Sequence, residues 1–139
     1  LCSMLEAAPD TLVALAAAFA DPATRSLSVA NAGLPAAVLC SGGAVKGLFS
    51  QDGPALGFER GRVYEEQRAS YEVGDRFVLY TDGLTEGVGA GEVAEAHQAA
   101  TLIASAENAS ADAICEAFLA LHRGKAFSDD ATVLLAHLP

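Results

Sequence analysis

The sequence predicts an α+β fold built on a largely antiparallel sheet. Two observations lead there. The first two thirds of the chain fall into short runs of apolar and small residues, punctuated by Gly, Pro and Asp turns, which is the signature of strands joined by hairpins. The last third holds two stretches of helical composition and then one short apolar run. Strands first, helices next and a strand last suit α+β architecture. With 139 residues, 52% of them apolar, the chain can form one domain with a substantial core.

Leu1 to Ala8 reads as the tail of a helix closed by Pro9. Thr11 to Phe19 is ambiguous on periodicity: its alanines favour helix, whereas its length and the turn Asp21-Pro22-Ala23-Thr24 suit a strand. Ser26 to Asn31 alternates and pairs with that run as a hairpin. Ala36 to Cys40 and Ala44 to Phe49 form a second hairpin around Ser41-Gly42-Gly43. Gln51 to Phe58 is a Gly/Pro loop, and Val63 to Ser70 an exposed strand. Glu72 to Asp75 is a turn into a buried strand, Arg76 to Thr81. Gly87 to Gly91 is a flexible loop, and Glu92 to Ser105 a helix. Ser110 is placed to cap a second helix that runs to about Arg123, with Ile114, Phe118 and Leu121 on one face and Gly124 as its stop. Ala131 to Leu138 is the last strand.

The net charge is −10, and the eight basic residues are scattered. No basic patch suits a nucleic acid or an anionic membrane, whereas an acidic chain suits a hard divalent cation. The three cysteines, Cys2, Cys40 and Cys115, are odd in number and form no C-x-x-C pair, which points to a reducing, cytoplasmic setting without a disulfide framework. Cys115 is expected in the core. The longest apolar run, Thr11 to Ala20, is too short for a bilayer span. The Asn108-Ala109-Ser110 sequon carries little weight beside these features. The chain opens on Leu1 and not on Met, so it is expected to be a fragment, a processed product or part of a longer polypeptide.

Two segments can carry chemistry. In Leu79-Tyr80-Thr81-Asp82-Gly83-Leu84-Thr85-Glu86 an apolar strand runs into an Asp, and Gly83 permits a sharp backbone turn. In Ser128-Asp129-Asp130-Ala131-Thr132-Val133 two carboxylates stand immediately before a strand. Oxygen donors on rigid strand ends favour Mg²⁺ or Mn²⁺ over softer metals. Either segment alone is a common turn or solvated loop; their combination is more specific. His97, His122 and His137 lack ligand spacing and read as surface or structural residues. Glu92 and Glu95 read as a solvated helix face.

On these motifs the chain resembles the metal-dependent protein phosphatases of the 2C type, in the bacterial branch typified by the stage II sporulation protein E and the sigma-factor regulatory phosphatases. The resemblance rests on Leu27 to Gly33 (ending Asn31-Ala32-Gly33), Gly53-Pro54-Ala55-Leu56-Gly57, Val73 to Glu86 and Asp129-Asp130-Ala131-Thr132-Val133. It implies two antiparallel sheets packed face to face and flanked by helices, with residues 1–139 forming the C-terminal portion of a single domain. It also implies a centre of two Mn²⁺ or Mg²⁺ ions that activates water to hydrolyse phosphoserine or phosphothreonine. Asp82 and Asp129 match the family's metal ligands, and Asp130, Gly83 and Thr81 stand where groups that position those ligands belong. No catalytic residue apart from the metal ligands is singled out. The implied substrate is a phosphorylated regulatory protein, such as an anti-sigma-factor antagonist.

Two departures stand out. The family's earlier strand-end Asp-Gly, whose carboxylate bridges the metals, is matched by neither Asp10 nor Asp52, so the site is expected to be incomplete in this chain. The family's His after Asn-Ala-Gly is Leu34 here. These departures motivate the alternative of a degenerate, non-catalytic domain that acts as a signalling or protein-binding module. A sandwich without its first elements exposes sheet surface, so the N-terminal part of the same domain, or a partner chain, is expected to cover it.

Overall fold

A computed structural model describes residues 11–86, 92–106, 110–122 and 129–139. The strands are β1 (Leu15–Asp21), β2 (Ser26–Ala32), β3 (Ala37–Ser41), β4 (Ala44–Phe49), β5 (Gln67–Ser70), β6 (Arg76–Tyr80) and β7 (Val133–His137). The helices are α1 (Glu92–Ser105) and α2 (Ala111–Leu121), and a single 3₁₀ turn spans Asp82–Leu84. The strands form two antiparallel sheets, ordered β1-β2-β5 and β4-β3-β6-β7. The expected pair of antiparallel sheets is therefore present, and the first ambiguous run is a strand.

The four-stranded sheet forms the middle layer, because its two inner strands are apolar on both faces. Ala37 and Leu39 of β3 and Phe77 of β6 meet Leu27, Val29, Phe49 and Tyr71 in the core between the sheets. Their neighbours Val38, Cys40, Val78 and Tyr80 point the other way and pack with Ala99, Ala100, Ile103 and Ala104 of α1 and Ile114 and Phe118 of α2. A period of two therefore sorts one strand into two cores. On the helices, Ala99 with Ile103, Ala100 with Ala104, and Ile114 with Phe118 are four residues apart and share a face. Phe49 and Phe77 meet edge to face at 5.9 Å between ring centres.

Among the described residues both helices lie on the same side of the middle sheet. The outer face of the three-stranded sheet carries Ala17, Phe19, Ser28 and Ala30, by their place in the register. Phe19 is 68% exposed.

Local chemistry sets the element boundaries. Ser110 Oγ accepts from the Ala113 N–H at 3.1 Å and caps α2 as its sequence predicts. The strand expected from Val63 begins only at Gln67. The residues before it are held as a loop: Arg62 donates to the Asp52 carbonyl, Tyr64 Oη to the Pro54 carbonyl, and the Glu65 N–H to the Asp52 carboxylate. Cys115 is half-buried and not a full core residue. The expected helix tail at Leu1 to Ala8, the loop at Gly87 to Gly91 and the stop at Gly124 lie outside the described residues. No helix among the described residues is long and apolar enough to cross a membrane.

The turn into β6 is fixed by Asp75, which is 4% exposed. Its carboxylate accepts from Lys46 Nζ at 2.8 Å and from the Glu72 N–H at 2.9 Å. Burial opposes its charge, but the Glu72 N–H, Lys46 and Ser41 outweigh burial and hold the carboxyl below its ordinary value. A carboxyl lowered in this way stabilises the fold above the usual carboxylate range, and the contribution is lost as pH falls through it. Asp75→Ala is expected to lower unfolding stability by about 2–3 kcal/mol at neutral pH. The deficit relative to the wild type should shrink on acidification below about pH 4. Urea denaturation over a pH series checks both; a variant as stable as the wild type at pH 7 contradicts the role given to Asp75.

Candidate metal centre

β6 and β7 are neighbouring antiparallel strands, with Tyr80 opposite Val133. The chain leaving β6 and the chain entering β7 are therefore side by side at one end of the sheet. Thr81 links them three times: its N–H donates to the Thr132 carbonyl at 3.1 Å, its hydroxyl to the Asp130 carbonyl at 3.2 Å, and its Oγ1 accepts from the Thr132 N–H at 2.9 Å. A hydroxyl that both donates and accepts pins two backbones with one side chain.

Gly83 follows in the 3₁₀ turn. A Cβ at this position would lie 2.5 Å from the Asp130 carbonyl oxygen and 3.1 Å from that of Asp129. The close approach excludes any side chain, a steric requirement and not a conformational one. The Asp82 carbonyl accepts from the Thr85 N–H at 2.8 Å and the Glu86 N–H at 2.9 Å, which closes the turn. His122 lies just beyond α2 and meets the Leu84 carbonyl through Nε2 at 3.0 Å, so the helix layer also holds this turn. His122 is thus structural, as its sequence context suggests.

The two acidic motifs, 47 residues apart in sequence between Asp82 and Asp129, therefore meet at one sheet end. Asp129 Oδ1 accepts from the Asp130 N–H at 2.7 Å. Among the described residues the carboxylates of Asp82 and Asp130 have no hydrogen-bond partner. These donors are all oxygen and suit a hard divalent cation. They are a partial set: no cluster of three or more His, Cys, Asp or Glu side chains disposed around one ion exists among the described residues.

Beside Asp82 opens a cleft of about 460 Å³. It is lined by the loop after β2, Gly33 to Ala36, by Leu48, Ser50 and Tyr80, and by Glu95 and His97 of α1. Burial pushes the Tyr80 hydroxyl up to about 12, so it is neutral across the physiological range. Asn31 builds the loop wall. This residue is fully buried, donates to the carbonyls of Leu34 and Pro35 at 3.1 Å, and accepts from the Leu34 N–H at 3.1 Å. Gly33 has φ +83, and a Cβ there would meet the Ala55 nitrogen at 2.7 Å.

Sequence reasoning treated Asn31 and Gly33 as motif letters and read His97 and Glu95 as surface. The signal available for Asn31 was a polar residue on the apolar side of an alternating strand. None existed for His97, whose place in the lining of the same cleft as Asp82 is set by tertiary packing. His137 is exposed at the far end of β7, in register with Arg76.

The fold has solved counterparts. The RsbU and RsbW domains of Rv1364c from Mycobacterium tuberculosis are 24% identical with a TM-score of 0.74, over 96% of this chain and 38% of that one. The manganese-presoaked phosphatase domain of SpoIIE from Bacillus subtilis is 17% identical with a TM-score of 0.68, over 90% and 56%. The catalytic domain of the serine threonine protein phosphatase PstP, in complex with two manganese ions, is 19% identical with a TM-score of 0.62, over 98% and 64%. The chain thus spans between 38% and 64% of the length of these structures. No curated protein sequence matches it. The model of one family, described as stage II sporulation protein E (SpoIIE), matches residues 2–139, and the chain belongs to that family.

Proposed function

We propose that this chain is the C-terminal portion of a metal-dependent serine/threonine phosphatase domain, with Asp82 and Asp129 as metal ligands. The observation that carries the reading is the contact of Gly83 with the Asp129 and Asp130 carbonyls, which brings two strand-end carboxylate motifs to one place. Asp130 and Thr81 hold the ligand-bearing backbones in position and Gly83 admits the contact. The complete site would take two Mn²⁺ or Mg²⁺ ions, held by Asp82 and Asp129 together with a further carboxylate from the rest of the domain.

The bound ions supply Lewis acidity and an activated water for in-line attack on a phosphate ester. The chain's own part is electrostatic and geometric. Asp82 and Asp129 present negative charge from backbones pinned by Thr81, so little reorganisation is needed when cations bind.

The substrate class that fits is a phosphorylated regulatory protein, such as an anti-sigma-factor antagonist, in a cytoplasmic setting. The outer face of the three-stranded sheet is a surface for the N-terminal part of the same domain or for a partner chain. The second reading, a non-catalytic binding module, is favoured by one residue, Leu34 in the place of the family's His.

In the full-length protein, Mn²⁺-dependent hydrolysis of p-nitrophenyl phosphate is expected. Asp82→Ala and Asp129→Ala should each reduce kcat by at least about 100-fold. A wild-type rate that is indifferent to Mn²⁺ and to EDTA favours the binding-module reading instead.

Gly83→Ala leaves every carboxylate in place yet must push the Asp130 backbone away. It should lower Mn²⁺ affinity by about 10-fold or more and stability by about 1–3 kcal/mol. Calorimetric Mn²⁺ titration and thermal melting of the variant check this; wild-type affinity would show that the contact does not govern the site.

A further inference from the structure

The cleft beside Asp82 has a chemistry that metal binding does not explain. Its loop wall presents Leu34, Pro35 and Ala36, and Leu48 adds a further apolar side chain, beside the polar Ser50, Gln51, Thr85 and His97. The volume of about 460 Å³ lies in the range of small-ligand pockets and admits a side chain or two of a bound peptide. The wall is held in shape: the buried Asn31 amide bonds both the Leu34 and the Pro35 carbonyls, and Gly33 packs against the Ala55 backbone. The fixed charges that border it, Asp82 and Glu95, are acidic, and the chain carries a net charge of −10.

We infer that this cleft is a specificity subsite that takes an apolar side chain next to the phosphorylated residue, with Leu34 as its determinant. The inference rests on the reading of Asp82 as a metal ligand of a phosphatase. Because Asp82 is part of the cleft's lining, a peptide whose phosphate reaches Asp82 places an adjacent residue in the same cleft as Leu34, Pro35 and Leu48. An apolar neighbour is stabilised there by removal from water. A serine neighbour gains little, and an aspartate neighbour meets Asp82 and Glu95 with like charge. The phosphoproteins selected carry Leu, Ile or Met beside the phosphosite and no acidic residue there.

The test uses the full-length protein with Mn²⁺ and peptides that carry a non-hydrolysable phosphonate analogue of phosphoserine. The peptides differ only in the two flanking residues: Leu, Ser or Asp. Fluorescence anisotropy should show the Leu peptide binding about 10-fold or more tighter than the Ser peptide, with the Asp peptide weakest. Leu34→Ser should bring the Leu and Ser peptides to within about threefold of each other. Equal binding of all three peptides by the wild type overturns the subsite, whether or not the variant folds. A preference that survives unchanged in a folded Leu34→Ser protein overturns the assignment to Leu34. Hydrolysis of p-nitrophenyl phosphate by the wild type is read separately. Hydrolysis without peptide preference defeats the subsite alone, and peptide preference without hydrolysis defeats the phosphatase reading while the subsite stands.

Discussion

The structure depends on one close approach. The backbone at Gly83 packs against the carbonyls of Asp129 and Asp130, and Thr81 seals the junction with three hydrogen bonds. Each hydrogen bond contributes about 1 kcal/mol net, so no one of them decides the arrangement. The decisive factor is steric: only a residue without a Cβ fits, and the fit fixes where the two acidic motifs stand. From that junction the constraint spreads in both directions. β6 and β7 are held in register behind it, and the 3₁₀ turn in front is tied to the end of α2 through His122 and the Leu84 carbonyl.

Such a junction needs a rigid support, and the middle sheet supplies it. β3 and β6 are buried on both faces, each strand giving alternate residues to the two cores. Strands of this kind cannot shift register by one residue without exchanging the two cores. The Asp82 end of β6 therefore inherits its position from the buried Phe77 and Val78. Asp75 and Lys46 fix the opposite end of the same strand.

Much of this was legible in the sequence because it is local. Ser110 announces the cap of α2, α1 has the bounds its composition suggests, and the Gly42-Gly43 turn marks its hairpin. The motifs at Asp82 and Asp129 were legible as segments. Their meeting was not derivable from periodicity, since strand order is a tertiary property; it came through resemblance to a family. The parts that escaped are those where distant residues compete with local preference. Tyr64 and Glu65 have strand-like neighbours, yet bonds to Pro54 and Asp52 hold them in a loop. Cys115 sits on an apolar helix but beside its half-exposed edge. His97 has the surroundings of a surface residue and acquires interest only because α1, packed on β3 and β4, lines the cleft that also holds Asp82.

In sequence Leu34 is a departure from the motif that the resemblance implies. In the structure it is one side of a wall that Asn31 and Gly33 hold rigidly. A buried amide is costly to desolvate and is tolerated only when satisfied, as Asn31 is by the Leu34 and Pro35 backbones. The loop could collapse onto the sheet if only packing mattered. It instead holds Leu34 and Pro35 out beside Asp82, at the border of a cleft. An apolar residue in that place changes what the cleft can accept more directly than it changes what the carboxylates can bind. On the proposed reading the strand ends carry the chemistry and the loop after β2 the selection, so a substitution in the loop alters what the cleft accepts while the strand-end carboxylates stay as they are.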